Sequence, residues 1–279
     1  MQTFQDIENI RKIRAAEQSK TWGLVPTMGA LHEGHMSLVR RARAENERVA
    51  VSIFVNPIQF NNPDDLEKYP RTVERDLMLL EDEDVDLVWT PPKEIVYPPR
   101  FQTHVAVEKI TQVLEGATRP GHFLGVTTVV AKLFNMFQPH RAYLGQKDYQ
   151  QLAVIRQMVN DLNFPIELVP CPIVREADGL AMSSRNVNLS AEGRQQATCL
   201  YQSLVRGKEL IDAGERTATN VRREMTDIVL KHDRATIDYI SIANPDNLNE
   251  LETIERKVLI SMAVFIDSVR LIDNMEVEV

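Results

Sequence analysis

The sequence predicts an α/β protein: a doubly wound parallel sheet followed by a smaller α+β domain. Three observations carry that expectation. Short apolar runs rich in β-branched residues alternate with helical patterns through the first part of the chain, as strands buried on both faces of a parallel sheet do. Two of those runs end at a glycine where a helical pattern begins, in "PTMGALHEGH" and "YLGQKDYQQL". Past residue 186 the alternation stops, and helical patterns precede three strand-like runs.

Taken in order, Phe4, Ile7, Ile10 and Ile13 recur at steps of three and predict an amphipathic helix over 4–17. Strands are expected at "GLVPT" near 24, "VAVSIFV" from 49, "VDLVW" from 85, "AYLG" near 143 and "IELVPC" from 166. Helical patterns separate most of them, at 36–47, 72–82, 126–138 and 148–162. The stretches 56–72 and 91–104, rich in Pro and polar residues, read as irregular connections of the kind that bind ligands at strand ends. Together these define a Rossmann-like domain over 1–174. From 175 to 279 a smaller α+β domain is expected, acting as a lid, with "MSSR" at the junction. Ser190 caps its first helix, Gly214 stops it, 217–232 forms a second, and "TIDYISIAN", "RKVLISMAVF" and "VRLIDNMEV" follow as strands.

Composition narrows the class. The chain has 279 residues, 43% apolar and 26% charged, which is globular in character. Its longest apolar run, "VLISMAVFI", is far short of the roughly 20 residues that span a bilayer. The amino terminus carries no apolar core of a secretory signal, and Cys171 and Cys199 form no motif, so a cytoplasmic location without a membrane is expected. A net charge of −8 argues against a nucleic-acid partner and leaves a small anionic ligand open.

Four stretches could carry chemistry. In the first, His32 and His35 sit three apart at the start of a helix. They read either as histidines on a helix surface or as donors to phosphate, since a helix start offers unpaired N–H groups and a positive dipole end. Gly29 and Gly34 would let a nucleotide approach closely. A zinc-protease reading fails, because it needs the histidines at i and i+4. In the second, Asp148 can cap a helix whose first turn presents Lys147 and Gln151. In the third, Ser183, Ser184 and Arg185 form a donor-rich loop that could pair with a polyphosphate and swing closed, or serve only as a linker. In the fourth, Asn56 and Gln59 follow a buried strand and suit a substrate with hydroxyls and a carboxylate, while Arg119, His122 and Gly125 fit structural and functional roles alike.

The motifs "PTMGALHEGH", "SIFVNPIQF", "KYPRT", "EGATRPGHFLGV", "GQKDYQQL" and "GLAMSSRN", in this order over nearly the whole chain, resemble the pantoate–β-alanine ligase (pantothenate synthetase) family. Two of them are similar to the "HIGH" and "KMSKS" signatures of class I aminoacyl-tRNA synthetases and nucleotidyltransferases. The resemblance implies an ATP-dependent condensation of pantoate with β-alanine through a pantoyl adenylate, releasing AMP and pyrophosphate. It implies ATP contacts at Pro26, at Met28, Gly29, Ala30, Leu31, His32, Glu33, Gly34 and His35, at Gly145, Gln146, Lys147 and Asp148, and at Val174, Met182, Ser183, Ser184 and Arg185. His35, with His32, Lys147 and Arg185, would be catalytic; Gln59, Gln151, Asn56 and Tyr69 would bind pantoate or β-alanine. Family members often carry "GEKD" where this chain has Gln146, a change expected to cost no activity. Mg2+ would arrive on the ATP phosphates rather than on a protein ligand set, and a homodimer is expected. No side chain in these motifs stands out as a base for the β-alanine amine. Two other readings are a different nucleotidyltransferase of the same superfamily, which should lack the glutamines at 59 and 151, and a nucleotide-binding module without turnover.

Overall fold

A computed structural model describes residues 1–279. The chain forms two compact units, one of Met1–Gln146 with Gln151–Pro172 and one of Lys147–Gln150 with Ile173–Val279. No helix is long and apolar enough to cross a membrane.

The first unit is built on six strands: β1 (Gln2–Phe4), β2 (Trp22–Thr27), β3 (Arg48–Ile53), β4 (Leu87–Trp89), β5 (Arg141–Gly145) and β6 (Glu167–Cys171). They lie in the order β1-β4-β3-β2-β5-β6, all parallel. The helices are α1 (Ile7–Ala16), α2 (Glu33–Glu45), α3 (Pro63–Lys68), α4 (Val73–Asp82), α5 (Lys93–Val96), α6 (Glu115–Thr118), α7 (His122–Phe137) and α8 (Tyr149–Asp161). Alternation along the strands explains the double winding. Leu24, Ala50, Leu87, Trp89 and Ala142 face one way and pack with α1, α7 and α8 through Ile10, Val130, Phe134 and Ile155. Val25, Val49, Val51, Val88 and Tyr143 face the other way, onto Val39 and Ala42 of α2 and Leu80 of α4. Arg14 of α1, 6% exposed, fixes the carboxyl end of α7 by donating to the carbonyls of Phe137 (2.6 Å) and Gln138 (3.0 Å).

Several element starts differ from the sequence expectation, each for a local reason. The helix expected from residue 4 begins at Ile7, because Asp6 caps it through the Asn9 N–H and Phe4 instead extends β1 beside Trp89. The helix expected from 36 begins at Glu33, since His32 is its N-cap. That expected from 126 begins at His122, after Gly121. The stretch 56–72 is partly ordered as the 3-10 turn Pro57–Gln59 and the short α3.

In the second unit, α9 (Ala191–Gln196), α10 (Cys199–Asp212) and α11 (Ala218–Val229) precede an antiparallel meander of β7 (Ala235–Ala243), β8 (Val258–Ile266) and β9 (Val269–Val277). The single helix expected from Ser190 to Gly214 is interrupted at 197–198, where the Thr198 hydroxyl takes the Gln195 carbonyl. Ile260, Met262 and Val264 of β8 pack on Leu200 and Leu204 of α10 and on Val221 and Met225 of α11.

Candidate active site

Strand order reverses between β2 and β5, since the chain runs from β2 through β3 to β4 on one side and from β5 to β6 on the other. Such a switch point is where open α/β sheets bind ligands. Here the ladder itself opens: β2 pairs with β3 along all six residues, but with β5 only at Gly23–Leu24, near its amino end. Pro26 to Leu31 run past the carboxyl end of β2, and Gly145 ends β5, with Gln146 next to it.

The β2–α2 corner is tightly held. Thr27 donates through its hydroxyl to the Ser52 carbonyl (2.7 Å) and accepts from the Gly29 N–H (3.2 Å). Gly29 (φ +81°) and Ala30 (φ +50°) are both left-handed, which for Ala30 costs about 1–2 kcal/mol. Asp76 of α4, fully buried, offsets that cost by accepting the N–H groups of Ala30 (2.8 Å) and Leu31 (2.9 Å), together with the Thr72 hydroxyl (3.0 Å). The next residue, His32, caps α2: its Nδ1 accepts from the Gly34 N–H (3.2 Å), and its own N–H donates to Nδ1 of His35 (3.3 Å). This is a capping box made of two histidines, with ring centroids 4.1 Å apart. Because both Nδ1 atoms accept, each neutral ring carries its proton on Nε2, a donor suited to a phosphate oxygen. Glu33 points to the surface and pairs with Arg40.

Beyond β3 a second cluster forms around Gln59. Its Oε1 accepts from Asn56 Nδ2 (2.9 Å) and its Nε2 donates to Met28 Sδ (3.2 Å). Asn56, 1% exposed, also donates to the Gly125 carbonyl (3.0 Å) and accepts from the Tyr97 hydroxyl (2.7 Å). The buried His122 donates from Nδ1 to the Gln59 carbonyl (2.9 Å), with Arg119 at 3.4 Å from its other ring nitrogen. Gly125 is required here, because a Cβ would stand 2.7 Å from the Gln59 backbone. Tyr69 is buried at 7% exposure, its ring in a T-shaped pair with Phe60.

Gln151 lies on α8 in the first unit, and the second unit holds the remaining candidates. Lys147 and Asp148 lie in the 3-10 turn Gln146–Asp148, Lys147 half-buried and Asp148 exposed. Val174 and Met182 are joined by the Met182 N–H donating to the Val174 carbonyl (3.0 Å), at the base of a hairpin closed by an Arg175–Ala181 bridge. Ser183 then caps the 3-10 turn Ser184–Asn188 through the Arg185 N–H (3.3 Å), and Asn186 pins that turn to Glu176 (3.3 Å) and the Ala181 carbonyl (3.1 Å). Arg194 grips Glu176 and Asp178 of the hairpin.

The first unit thus contains Pro26, Met28–His35, Asn56, Gln59, Tyr69, Gly145, Gln146 and Gln151; the second contains Lys147, Asp148, Val174 and Met182–Arg185. Asp76, Tyr97 and the acidic and amide residues of β9 belong to none of the sequence motifs. One signal for Asp76 was present: Val73, Asp76, Leu77 and Leu80 follow the i, i+3, i+4, i+7 pattern of a buried stripe, with a carboxylate in an apolar place. No group of three or more His, Cys, Asp or Glu side chains gathers as a metal cage.

A doubly wound sheet that opens at its switch point beside a histidine-capped helix start belongs to the class of nucleotide-binding α/β enzymes. The comparisons narrow this. The model of the pantoate-beta-alanine ligase family matches residues 2–276. The chain is 55% identical to a pantothenate synthetase of a Roseiflexus species over 278 residues, covering 100% of both chains. It is 52% identical to that of Caldicellulosiruptor bescii, covering 100% of this chain and 98% of the relative. The crystal structure of pantothenate synthetase from Thermus thermophilus superposes with a TM-score of 0.96 at 46% identity and full coverage of both chains. The pantoate-beta-alanine ligase from Francisella tularensis, complexed with beta-gamma ATP and beta-alanine, gives 0.82 at 35%, covering 99% of this chain and 97% of that one. The chain belongs to the pantoate–β-alanine ligase family.

Proposed function

We propose that this chain condenses pantoate with β-alanine at the expense of ATP in two displacements, and that the residues gathered above divide the work as follows. A pantoate carboxylate oxygen attacks the α-phosphorus of ATP, pyrophosphate leaves, and pantoyl adenylate results. The β-alanine amine then attacks the acyl carbon, and AMP departs. The first step brings an anion to a polyanion, so its barrier is lowered by donors and cations aimed at the phosphates. The His32 and His35 Nε2–H groups, Lys147 and Arg185 take that role. Pro26, Met28–Leu31, Glu33, Gly34, Gly145, Gln146, Asp148, Val174, Met182, Ser183 and Ser184 complete the nucleotide contacts. Gln59 and Gln151 hold pantoate, Tyr69 lines the substrate region, and Asn56 acts by fixing the Gln59 amide.

The observation that carries this reading is the start of α2, where the cap commits both Nδ1 atoms and defines both Nε2 protons. Charge neutralisation by Mg2+ fits a metal carried on ATP phosphates and water, since hard oxygen ligands suit it. The second unit supplies Lys147 and Met182–Arg185, and in this reading it acts as a lid that shields the adenylate from water. A homodimer in the cytoplasm, without nucleic-acid or membrane partners, completes the proposal.

The test is AMP release from ATP and Mg2+ with pantoate, with and without β-alanine, and with other acid–amine pairs. Pantothenate and AMP formed only with the complete set support the assignment. Equal turnover of an alcohol phosphate, or ATP binding without AMP under every pair, would overturn it.

A further inference from the structure

Strand β9 carries Asp273 and Asn274 side by side, and consecutive side chains of a strand point to opposite faces. Asp273, 2% exposed, accepts two bonds from the Arg175 guanidinium, at 2.6 and 3.0 Å. That guanidinium also donates to the Gly179 carbonyl (3.0 Å) and stands 4.4 Å over the Tyr201 ring. The root of the hairpin leading into Met182–Arg185 is thereby fixed, and the turn Ser184–Asn188 lies against β9 as well. Asn274, 6% exposed, sends its Nδ2 to the backbone carbonyl of Lys147 (2.9 Å). Two residues on, Glu276 accepts the Tyr149 hydroxyl (2.7 Å). One strand therefore holds both segments that the second unit contributes to the nucleotide.

We infer that Asp273 and Asn274 are positioning residues for the adenylation step: they set Lys147 and the Ser183–Arg185 turn in one register, so that both charges meet the same triphosphate. This rests on the reading that Lys147 and Arg185 contact ATP. The physical reason is that a cation acts on a developing charge only when it is already in place, and a misplacement of about 1 Å can cost about a hundredfold in rate. The Asn274 bond is directional and goes to a backbone atom, so it sets where the lysine side chain starts.

The experiment is a double-mutant cycle on the full chain, with Asn274→Ala and Lys147→Ala made singly and together, read by pantoate-dependent ATP–pyrophosphate exchange and by thermal unfolding. Asn274→Ala is expected to lower kcat about tenfold with an unchanged KM for pantoate, and Lys147→Ala about a hundredfold. The double variant should be no slower than Lys147→Ala alone, because the amide acts through the lysine. Asn274→Gln, which keeps an amide donor, should recover part of the rate, whereas a purely structural loss would lower the melting temperature without this kinetic pattern. Losses that multiply in the double variant, or wild-type exchange by a folded Asn274→Ala protein, would overturn the inference while leaving the role of Lys147 intact. Wild-type exchange by Lys147→Ala would instead overturn the underlying reading, and the inference with it.

Discussion

His35 carries two burdens that substitution can separate. Its Nδ1 completes the cap of α2, and its Nε2 is the proposed phosphate donor. Glutamine also serves at the third position of a capping box. His35→Gln is therefore expected to melt close to wild type yet lose adenylation by at least about a hundredfold, the scale of one oxyanion-type donor. His35→Ala should lose the same activity and also about 1 kcal/mol of stability. Near-normal exchange by the Gln variant would remove His35 from the chemistry. Asp76 makes a different prediction. Asp76→Ala strands the Ala30 and Leu31 N–H groups in the interior, at about 1–3 kcal/mol each, and releases the left-handed pair that shapes the β2–α2 corner, the proposed nucleotide contact. Both a lower denaturant midpoint and a raised KM for ATP are expected; a fall in stability with unchanged KM would show that the corner holds its shape without the carboxylate. With Gln59 as the proposed pantoate residue, the position to test is Gly125, where an added methyl group must displace the Gln59 backbone. Gly125→Ala should raise KM for pantoate more than KM for ATP.

The elements that position these residues gain their precision from short connections tied down by side chains. The hairpin before the Ser183–Arg185 turn shows this at its surface. Arg194 holds the Asp178 carboxyl below its ordinary value, chiefly through its hydrogen bond. Because the folded value is the lower one, this contribution is fully present above the unfolded value of about 4 and is lost as pH falls through the folded one. The pair is well exposed to solvent, so it is worth less than about 1 kcal/mol. Thermal unfolding between pH 5 and pH 2, a range taken from these carboxylate values, should show a smaller acid loss for Arg194→Ala than for wild type. Parallel acid profiles would mean that the hairpin does not depend on the pair.

Across the whole molecule, thiol chemistry offers a check on both cores. Cys171 is buried in the first unit and Cys199 in the second. Burial pushes both thiols up, that of Cys199 to about 12. Thiolate is the reactive form, so iodoacetamide at neutral pH should leave both unmodified in the native protein and modify both after denaturation. Labelling of either one under native conditions, read by mass spectrometry, would show that its core opens.

Periodicity and composition were enough to place β2 to β6, the helices on both faces of the sheet and the C-terminal meander, though not the short edge strand β1, because strands buried on both faces must be continuously apolar and amphipathic helices must repeat near 3.6 residues. The two glycine corners stood out as candidate phosphate sites as well, since the residue types suited to phosphate are few and stand beside helix starts in the chain. The tertiary structure alone decided what supports them. Asp76 meets Ala30 and Leu31 across 46 and 45 residues, Tyr97 meets Asn56 across 41, and Asn274 meets Lys147 across 127. A hydrogen bond between distant segments leaves no periodic trace in either one. It exists only once the fold has brought them together, which is why the sequence could mark candidate donors to phosphate and the tertiary structure was needed to find what holds those residues in place.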